Sequence, residues 1–516
     1  MKPPSFHKQP LEGQLNNNQL QPLLNLLNNG QLAQAEVLAK SLIQSYPNTF
    51  ILHNVLGIAA DGLGKVTEAI ASYRNALRLQ PNMPDLHFNM GIALTSTGEL
   101  DSAAASYHKA IQLNPKFFEA YANLGTLLQK QGKLEEAVAS YRKAININPD
   151  ARGYFNLATA LRDQGKLIDA ITSYEKAIQL FPNYADAFNN LGETLRDQGH
   201  MDLAVKNYQT TLGINPQHAH ANYNMAEFLY LAQKFNEAIP YFERSQLDDW
   251  QARTLYCLYK AQRFAEFKTK RDALMQTEKH IAPFVATLST HYSINFNESD
   301  PYNFCKNPLD FVYQQAIPQL TVQNSQLLKD LLHDIHHANI AERKQGMLHY
   351  GQQSAGNLFK RPEASFRTLA ELIKQEFINY KNKFAGANCE LINAFPEELE
   401  FTSSWYVKMR QGGHLASHIH EIGWISGAVY LAMPSSKQTA EEGAFEYGIH
   451  GDNYPIIAPH THSDFLVNHT IPNVGDIVLF PSSLFHRTIP FTADEERICI
   501  AFDLKPAIGI KQKNSY

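Results

Sequence analysis

Hydrophobic positions along the chain follow two rhythms. From about Leu56 to Pro216 apolar residues recur at helical spacing, and the pattern itself repeats. The runs LGIAADGLGKVTEAIASYRNALRLQP, MGIALTSTGELDSAAASYHKAIQLNP, LGTLLQKQGKLEEAVASYRKAININP and LGETLRDQGHMDLAVKNYQTTLGINP align without gaps. Pro81, Pro115, Pro149, Pro182 and Pro216 close successive units at steps of 34, 34, 33 and 34. Gly57, Gly91, Gly125, Ala158 and Gly192 keep the same steps, as do Ala69, Ala103, Ala137, Ala170 and Ala204. Each unit predicts a helix, a turn at GK, GE or GH, and a second helix ended by proline, which lacks the N–H needed to continue. The single deletion falls near Asp150–Gly153, in an inter-repeat turn.

From Glu390 the rhythm changes to short alternating or apolar runs separated by turn residues: ELINAF, SSWYVKM, SGAVYLAM, GAFEYG, DIVLFP and RICIAFDL. That is the pattern of a β-sandwich or jelly roll. Between the two halves, residues 279–308 read as an ordered, turn-rich connector, followed by helices near 323–339 and 363–384. His333, His336 and His337 fall on the first of these and are read as surface residues.

A period of 34 with small residues at these places resembles the tetratricopeptide repeat, which implies an α-solenoid with a concave groove. Weaker units at Leu23–Pro47, Asn222–Ser245 and Trp250–Leu274 extend the array. The expected organisation is α+β and multidomain. It comprises a disordered tail at 1–14, a solenoid at 15–275, a connector with helices packing on the C-terminal core at 276–385, and a jelly roll, or double-stranded β-helix, at 386–516. Tyr73, Tyr107, Tyr141, Tyr174 and Tyr208 also share the period and are read as packing. Asn89, Asn123, Asn156, Asn190 and Asn224 form a further row, each two positions before the small residue of a first helix. An amide both donates and accepts, so a stacked row can hold a peptide backbone without reading its side chains. The row resembles the asparagine ladder of O-linked N-acetylglucosamine transferases; the alternative is packing between helices.

Bulk properties narrow the field. At 516 residues and 44% hydrophobic, the chain can bury more than one core. A net charge of −5 gives no electrostatic reason to expect nucleic acid. No apolar stretch is long enough to span a membrane. Cys257, Cys305, Cys389 and Cys499 form no CxxC and suggest no disulfide framework. The expectation is a cytoplasmic protein with a protein or peptide partner, and neither a nucleic acid nor a membrane.

Three features carry chemistry. ASHIHEIGW holds His418 and His420, which on a strand would share a face. GDIVLFPSSLFHRTIPF holds His486, able to complete a three-imidazole metal site with open positions. Arg497 follows 11 residues later, with a guanidinium suited to a bidentate carboxylate. Over about 390–506 this order on a jelly roll, with MRQGGHLASHIH and EEGAFEY, resembles the 2-oxoglutarate/Fe(II) oxygenases of the prolyl 4-hydroxylase-like superfamily. The resemblance implies a dioxygenase that uses Fe(II), 2-oxoglutarate as cosubstrate and dioxygen, with His418, His420 and His486 on the metal and Arg497 on the cosubstrate. Beyond these metal and cosubstrate ligands, no separate catalytic residue is expected. The sequence departs from the family pattern in three places. The carboxylate position is His420, the tyrosine that helps hold 2-oxoglutarate falls at Met409, and the serine after the arginine is Cys499. Tyr406, Lys408 or Tyr430 could substitute in cosubstrate binding. On a regular strand Glu421 should point away from the metal, and a local bulge could bring it in. His450, His460, His462 and His469 are read as a loop group near the mouth of the barrel. The leading expectation is a hydroxylase whose repeats hold a protein or peptide. The alternatives are an interaction scaffold with an impaired metal-binding jelly roll, and a small-molecule or glycan oxygenase.

Overall fold

The computed structural model describes residues 17–506 except 248, 278–280, 344–345, 397 and 422. The expected tail at 1–14 lies outside the described residues. The chain forms two compact units, Met1–Met225 and Ala226–Tyr516.

The first unit is a solenoid of helix hairpins. Asn17–Asn28 and Leu32–Ser45 open it, and five regular hairpins follow from Phe50–Gly62 to Met201–Ile214. Each hairpin turn carries a glycine in the left-handed region, Gly64, Gly98, Gly132, Gly165 and Gly199 at φ between 74° and 86°, which a side chain would oppose. Each closing proline stands two residues past the last helical residue, as Pro81 does after Leu79. The deletion near residue 150 is absorbed in the turn. Helix Ala151–Asp163 begins two residues after Pro149, whereas helix Phe118–Lys130 begins three after Pro115. Asp150 caps the shortened turn, its Oδ1 accepting the Gly153 N–H at 2.6 Å.

The periodic tyrosines are packing residues. Tyr73, Tyr107, Tyr141, Tyr174 and Tyr208 are buried, and their rings fill the space left by the small residues of the preceding helix. A Cβ at Gly125 would lie 2.7 Å from Tyr141 Cε1, and Gly91 and Gly192 meet Tyr107 and Tyr208 in the same way.

Two further hairpins follow, ending at Thr277, and the division between the units falls inside helix Ala219–Leu231. Aromatic contacts tie the later of these helices to residues farther along the chain. Tyr256 packs on Phe284 and Tyr454, and Tyr259 packs on His291, so these late helices pack onto the C-terminal fold instead of only onto the next repeat. Their turns also lack glycine, with Gln233 and Gln262 in the left-handed conformation instead.

Among the described residues, the rest holds ten strands interleaved with helices: β1 (Tyr313–Ala316), β2 (Glu342–Arg343), β3 (Leu348–Ser354), β4 (Leu399–Leu415), β5 (Ile425–Ala432), β6 (Phe445–Gly448), β7 (Val467–Thr470), β8 (Asp476–Pro481), β9 (Phe485–Thr488) and β10 (Arg497–Pro506). The larger antiparallel sheet has the order β1-β8-β5-β10-β4-β3-β2, and the smaller β7-β6-β9. Val407, Met409, Tyr430, Val478, Phe480 and Cys499 from the larger sheet share one core with Phe445 from the smaller. The other face of β10 meets the helix Ala364–Lys383, with the Phe377 and Phe502 rings 6.2 Å apart.

Two expectations need correction. Strands β1, β2 and β3 come from the segment 276–385 that reads as connector and helices. They escape sequence reading because β1 (YQQA) and β2 are short edge strands and β3 (LHYGQQS) is largely exposed, so none shows an apolar alternation. ELINAF begins as a short helix, Glu390–Asn393, not as a strand.

Since the small residues hold the repeat helices close, Gly125→Val should overpack the Tyr141 contact and cost about 1–3 kcal/mol. The first transition of the full chain in urea should move to lower concentration; an unmoved midpoint would show that this contact is not close-packed.

Candidate metal centre

The alternation of β4 and β10 builds the site. On β10, Arg497, Cys499 and Ala501 line a pocket between the sheets, while Ile498, Ile500 and Phe502 point the other way into the core. On β4, Trp405 and Val407 line the same pocket. Phe445 and Phe480 complete its apolar wall.

His418, His420 and His486 converge in this pocket, with one ring nitrogen from each lying within 4.8 Å of the others. His418 and His420 follow the end of β4. His418 is held opposite His486 by a two-bond antiparallel bridge, N–H to carbonyl at 3.1 and 2.9 Å. Each Nδ1 has an acceptor: the Ala416 carbonyl for His418 at 2.9 Å, the Leu484 carbonyl for His486 at 3.2 Å, and Asp503 Oδ1 for His420. With Nδ1 as the donor, Nε2 keeps its lone pair; the Nε2 atoms of His418 and His420 stand 3.3 Å apart. Burial and the neighbouring imidazoles pull the His418 pKa down to about 4 and that of His486 well below its ordinary value. Both rings are therefore neutral near pH 7, the form that binds metal. The donor set thus fits a divalent transition metal. Among the described residues, these three form the group of His, Cys, Asp and Glu side chains with such geometry.

Asp503 is the residue that sequence reasoning missed. Burial pushes its carboxyl up, but His420 and the hydroxyls of Ser426 and Ser403 outweigh burial and hold it below the usual carboxylate range. The signal was present in RICIAFDL: position 503 shares the parity of Arg497, but a carboxylate 83 residues from its histidine has no local motif.

Arg497 is 1% exposed. Its Nε donates to the Gly443 carbonyl at 3.1 Å, and its guanidinium lies over the Tyr430 ring at 5.1 Å. The sulfurs of Met409 and Cys499 stand 3.9 and 3.8 Å from Nη1, so two side chains that replace a tyrosine and a serine in the expected pattern sit against the guanidinium. Among the described residues no carboxylate forms an ion pair with Arg497. Tyr430 joins it in lining the pocket, but Tyr406 and Lys408 do not. They occupy the opposite face of β4, where Tyr406 Oη donates to Glu342 Oε1 at 3.0 Å and Lys408 lies 3.4 Å from the same oxygen. A two-residue period cannot bring 406 and 408 to the face that holds 405 and 407.

Glu421 also points away from the histidines, pairing with Arg253 Nη1 at 2.9 Å and accepting from Tyr230 Oη at 3.4 Å. His450 stacks on His291 with Nδ1 at 2.8 Å from its Nε2, His460 approaches Asp464, and His469 approaches Glu441. His462 packs edge-on to His450 at 5.0 Å. His333, His336 and His337 are exposed on helix Gln326–His337.

The asparagine row is partly engaged within the solenoid. Asn89 donates to Asn54 Oδ1 at 3.2 Å, and Asn224 donates to Asn189 Oδ1 and Glu193 Oε1 at 3.1 Å each. Both are buried, whereas Asn123, Asn156 and Asn190 are half-buried. Asn54 and Asn189 stand outside the row, one position earlier in their helices, each three residues before the small residue Gly57 or Gly192.

Among the described residues no helix is long and apolar enough to cross a membrane. A family model described as "Putative 2OG-Fe(II) oxygenase" matches residues 403–503. Models described as TPR repeat match 63–97, 93–132 and 158–199, and models described as tetratricopeptide repeat match 118–150 and 189–252. No match was found among curated proteins. Similar solved structures include MamA, at 25% identity over 33% of this chain and 92% of that chain with a TM-score of 0.31. MamA of Desulfovibrio magneticus RS-1 gives 23%, 32%, 95% and 0.32 in the same order. YrrB, titled a TPR protein with an unusual peptide-binding site, gives 21%, 36%, 96% and 0.33. The chain carries tetratricopeptide repeats, followed by a C-terminal domain that matches the model described as "Putative 2OG-Fe(II) oxygenase".

Proposed function

We propose that the chain is an Fe(II)- and 2-oxoglutarate-dependent dioxygenase that hydroxylates a protein or peptide held by its repeats. The observation that carries this reading is one pocket lined both by three inward-facing imidazoles and by a buried guanidinium that, among the described residues, has no carboxylate partner. A buried charge is costly unless matched by an opposite one, and a dicarboxylate ligand would supply the match.

His418, His420 and His486 are the residues that would hold the iron, and Arg497 the residue that would hold the far carboxylate of 2-oxoglutarate. When bound, iron with this cosubstrate and dioxygen supplies oxidative hydroxylation of a C–H bond, with release of succinate and carbon dioxide. The chain's own residues orient and exclude. The Gly443 carbonyl and the Tyr430 face fix the guanidinium, while Trp405, Phe445 and Phe480 keep the pocket dry, which strengthens the attraction between Arg497 and a carboxylate. Repeat arrays generally bind proteins, and a binder on the same chain as the pocket raises the effective concentration of what it holds. The half-buried Asn123, Asn156 and Asn190 are the members of the row that would reach a peptide backbone.

Purified full-length protein with Fe(II) should convert 2-oxoglutarate to succinate slowly even without substrate, and His486→Ala should not exceed background. Equal background rates for the two would end the enzyme reading. Arg497→Met should keep Fe(II) binding and weaken 2-oxoglutarate binding at least about 30-fold, since breaking a buried charge pair costs about 2 kcal/mol or more. Unchanged cosubstrate affinity would remove Arg497 from the role.

For the repeats, peptides selected on the wild-type chain from a random display library should bind the Asn123→Ala/Asn156→Ala variant about tenfold less tightly, on the order of 1 kcal/mol in all. Equal affinity would reduce the row to packing.

A further inference from the structure

We propose that Asp503 is a positioning residue that supplies, one hydrogen bond outside the ligand set, the negative charge that the ligands themselves lack. The inference rests on the oxygenase reading above. An imidazole ligand carries no negative charge, so three of them leave a divalent ion with its full charge. The Nδ1 atoms of His418 and His486 are bonded to backbone carbonyls, which carry no formal charge. His420 alone of the three is bonded to a carboxylate, Asp503 Oδ1.

That carboxylate is fixed from both sides. Ser426 Oγ donates to Oδ1 at 2.7 Å, and Ser403 Oγ donates to Oδ2 at 2.8 Å. The serines come from β5 and β4, the strands that flank β10, so the sheet clamps the group that clamps His420. The side chains of Asp503 and His420 are 13% and 11% exposed, so solvent screens little of the charge. A carboxylate accepting the Nδ1–H of a metal-binding histidine makes its Nε2 a stronger donor and orients the ring. Asp503 thus moves the missing charge outward by one imidazole and leaves a third nitrogen on the metal. The same strand face that offers Arg497 to an anion offers Asp503 to the cation side of the pocket.

A merely structural role, tying β4 and β5 together through the two serines, would show in stability, not in metal affinity. The test is anaerobic titration of the full chain with Fe(II), followed by tryptophan fluorescence, with the melting temperature of each metal-free variant measured alongside. Asp503→Asn, which keeps the shape and removes the charge, should bind Fe(II) about 10- to 100-fold more weakly than wild type. Ser426→Ala, which keeps the charge and leaves Ser403 to hold it, should bind within about threefold of wild type, short of that 10- to 100-fold loss. Moving the charge to the ligand position, His420→Asp/Asp503→Asn, should recover binding that Asp503→Asn loses. If wild type binds Fe(II) and Asp503→Asn binds it equally, the proposal is overturned and the oxygenase reading stands. If wild type fails to bind Fe(II), the oxygenase reading itself fails, and this proposal with it. If Asp503→Asn lowers both melting temperature and affinity, the double variant decides: recovered binding supports the charge role, and no recovery overturns it.

Discussion

Three imidazoles turned to one point in a pocket with apolar walls are the constraint around which the C-terminal fold is arranged. A neutral imidazole has one donor and one acceptor, so each ring can offer Nε2 inward only if Nδ1 has an acceptor outward. The fold provides all three acceptors: two backbone carbonyls two residues before their histidines, and one carboxylate from a different strand. The bridge between His418 and His486 then locks two of the rings opposite each other through the backbone, independent of any metal. Preorganisation of this kind removes the ordering cost that a mobile ligand set would incur on binding.

The two-residue period of β10 distributes the rest of the chemistry. One face of the strand presents Arg497, Cys499, Ala501 and Asp503, and the other buries Ile498, Ile500 and Phe502. A positive group and a negative group therefore sit at the two ends of a single strand face, six residues or roughly 20 Å of chain apart. A one-residue slip in the pairing of β10 with β4 and β5 would exchange this face for the apolar one. The register is held by apolar residues on the far side, packed on helix Ala364–Lys383, so the core of the domain and the polarity of its pocket are specified together.

The repeats obey a simpler rule. A small residue on the first helix and a tyrosine on the second recur because each hairpin must approach itself closely, and the glycine at each turn lets the chain reverse within three residues. Where the rule lapses, at Gln233 and Gln262, the helices instead pack aromatic side chains such as Tyr256 on Phe284 and Tyr454.

The sequence by itself determined the repeat array, its turns, the packing tyrosines and the grouping of His418, His420 and His486 with Arg497. The repeat features follow from a local period of 34, and a period is visible wherever one face of an element is apolar; the three histidines and the arginine were brought together by their order along the chain and the family pattern that order resembles. It could not determine the edge strands β1 and β2, whose polar residues carry no alternation, nor choose Tyr430 over Tyr406 and Lys408, which required knowing the face that β4 turns inward. Only the tertiary structure decided where the compensating carboxylate lies. Asp503 reaches His420 across 83 residues of chain because β10 pairs with β4, and a contact made by strand pairing leaves no spacing in the sequence to read.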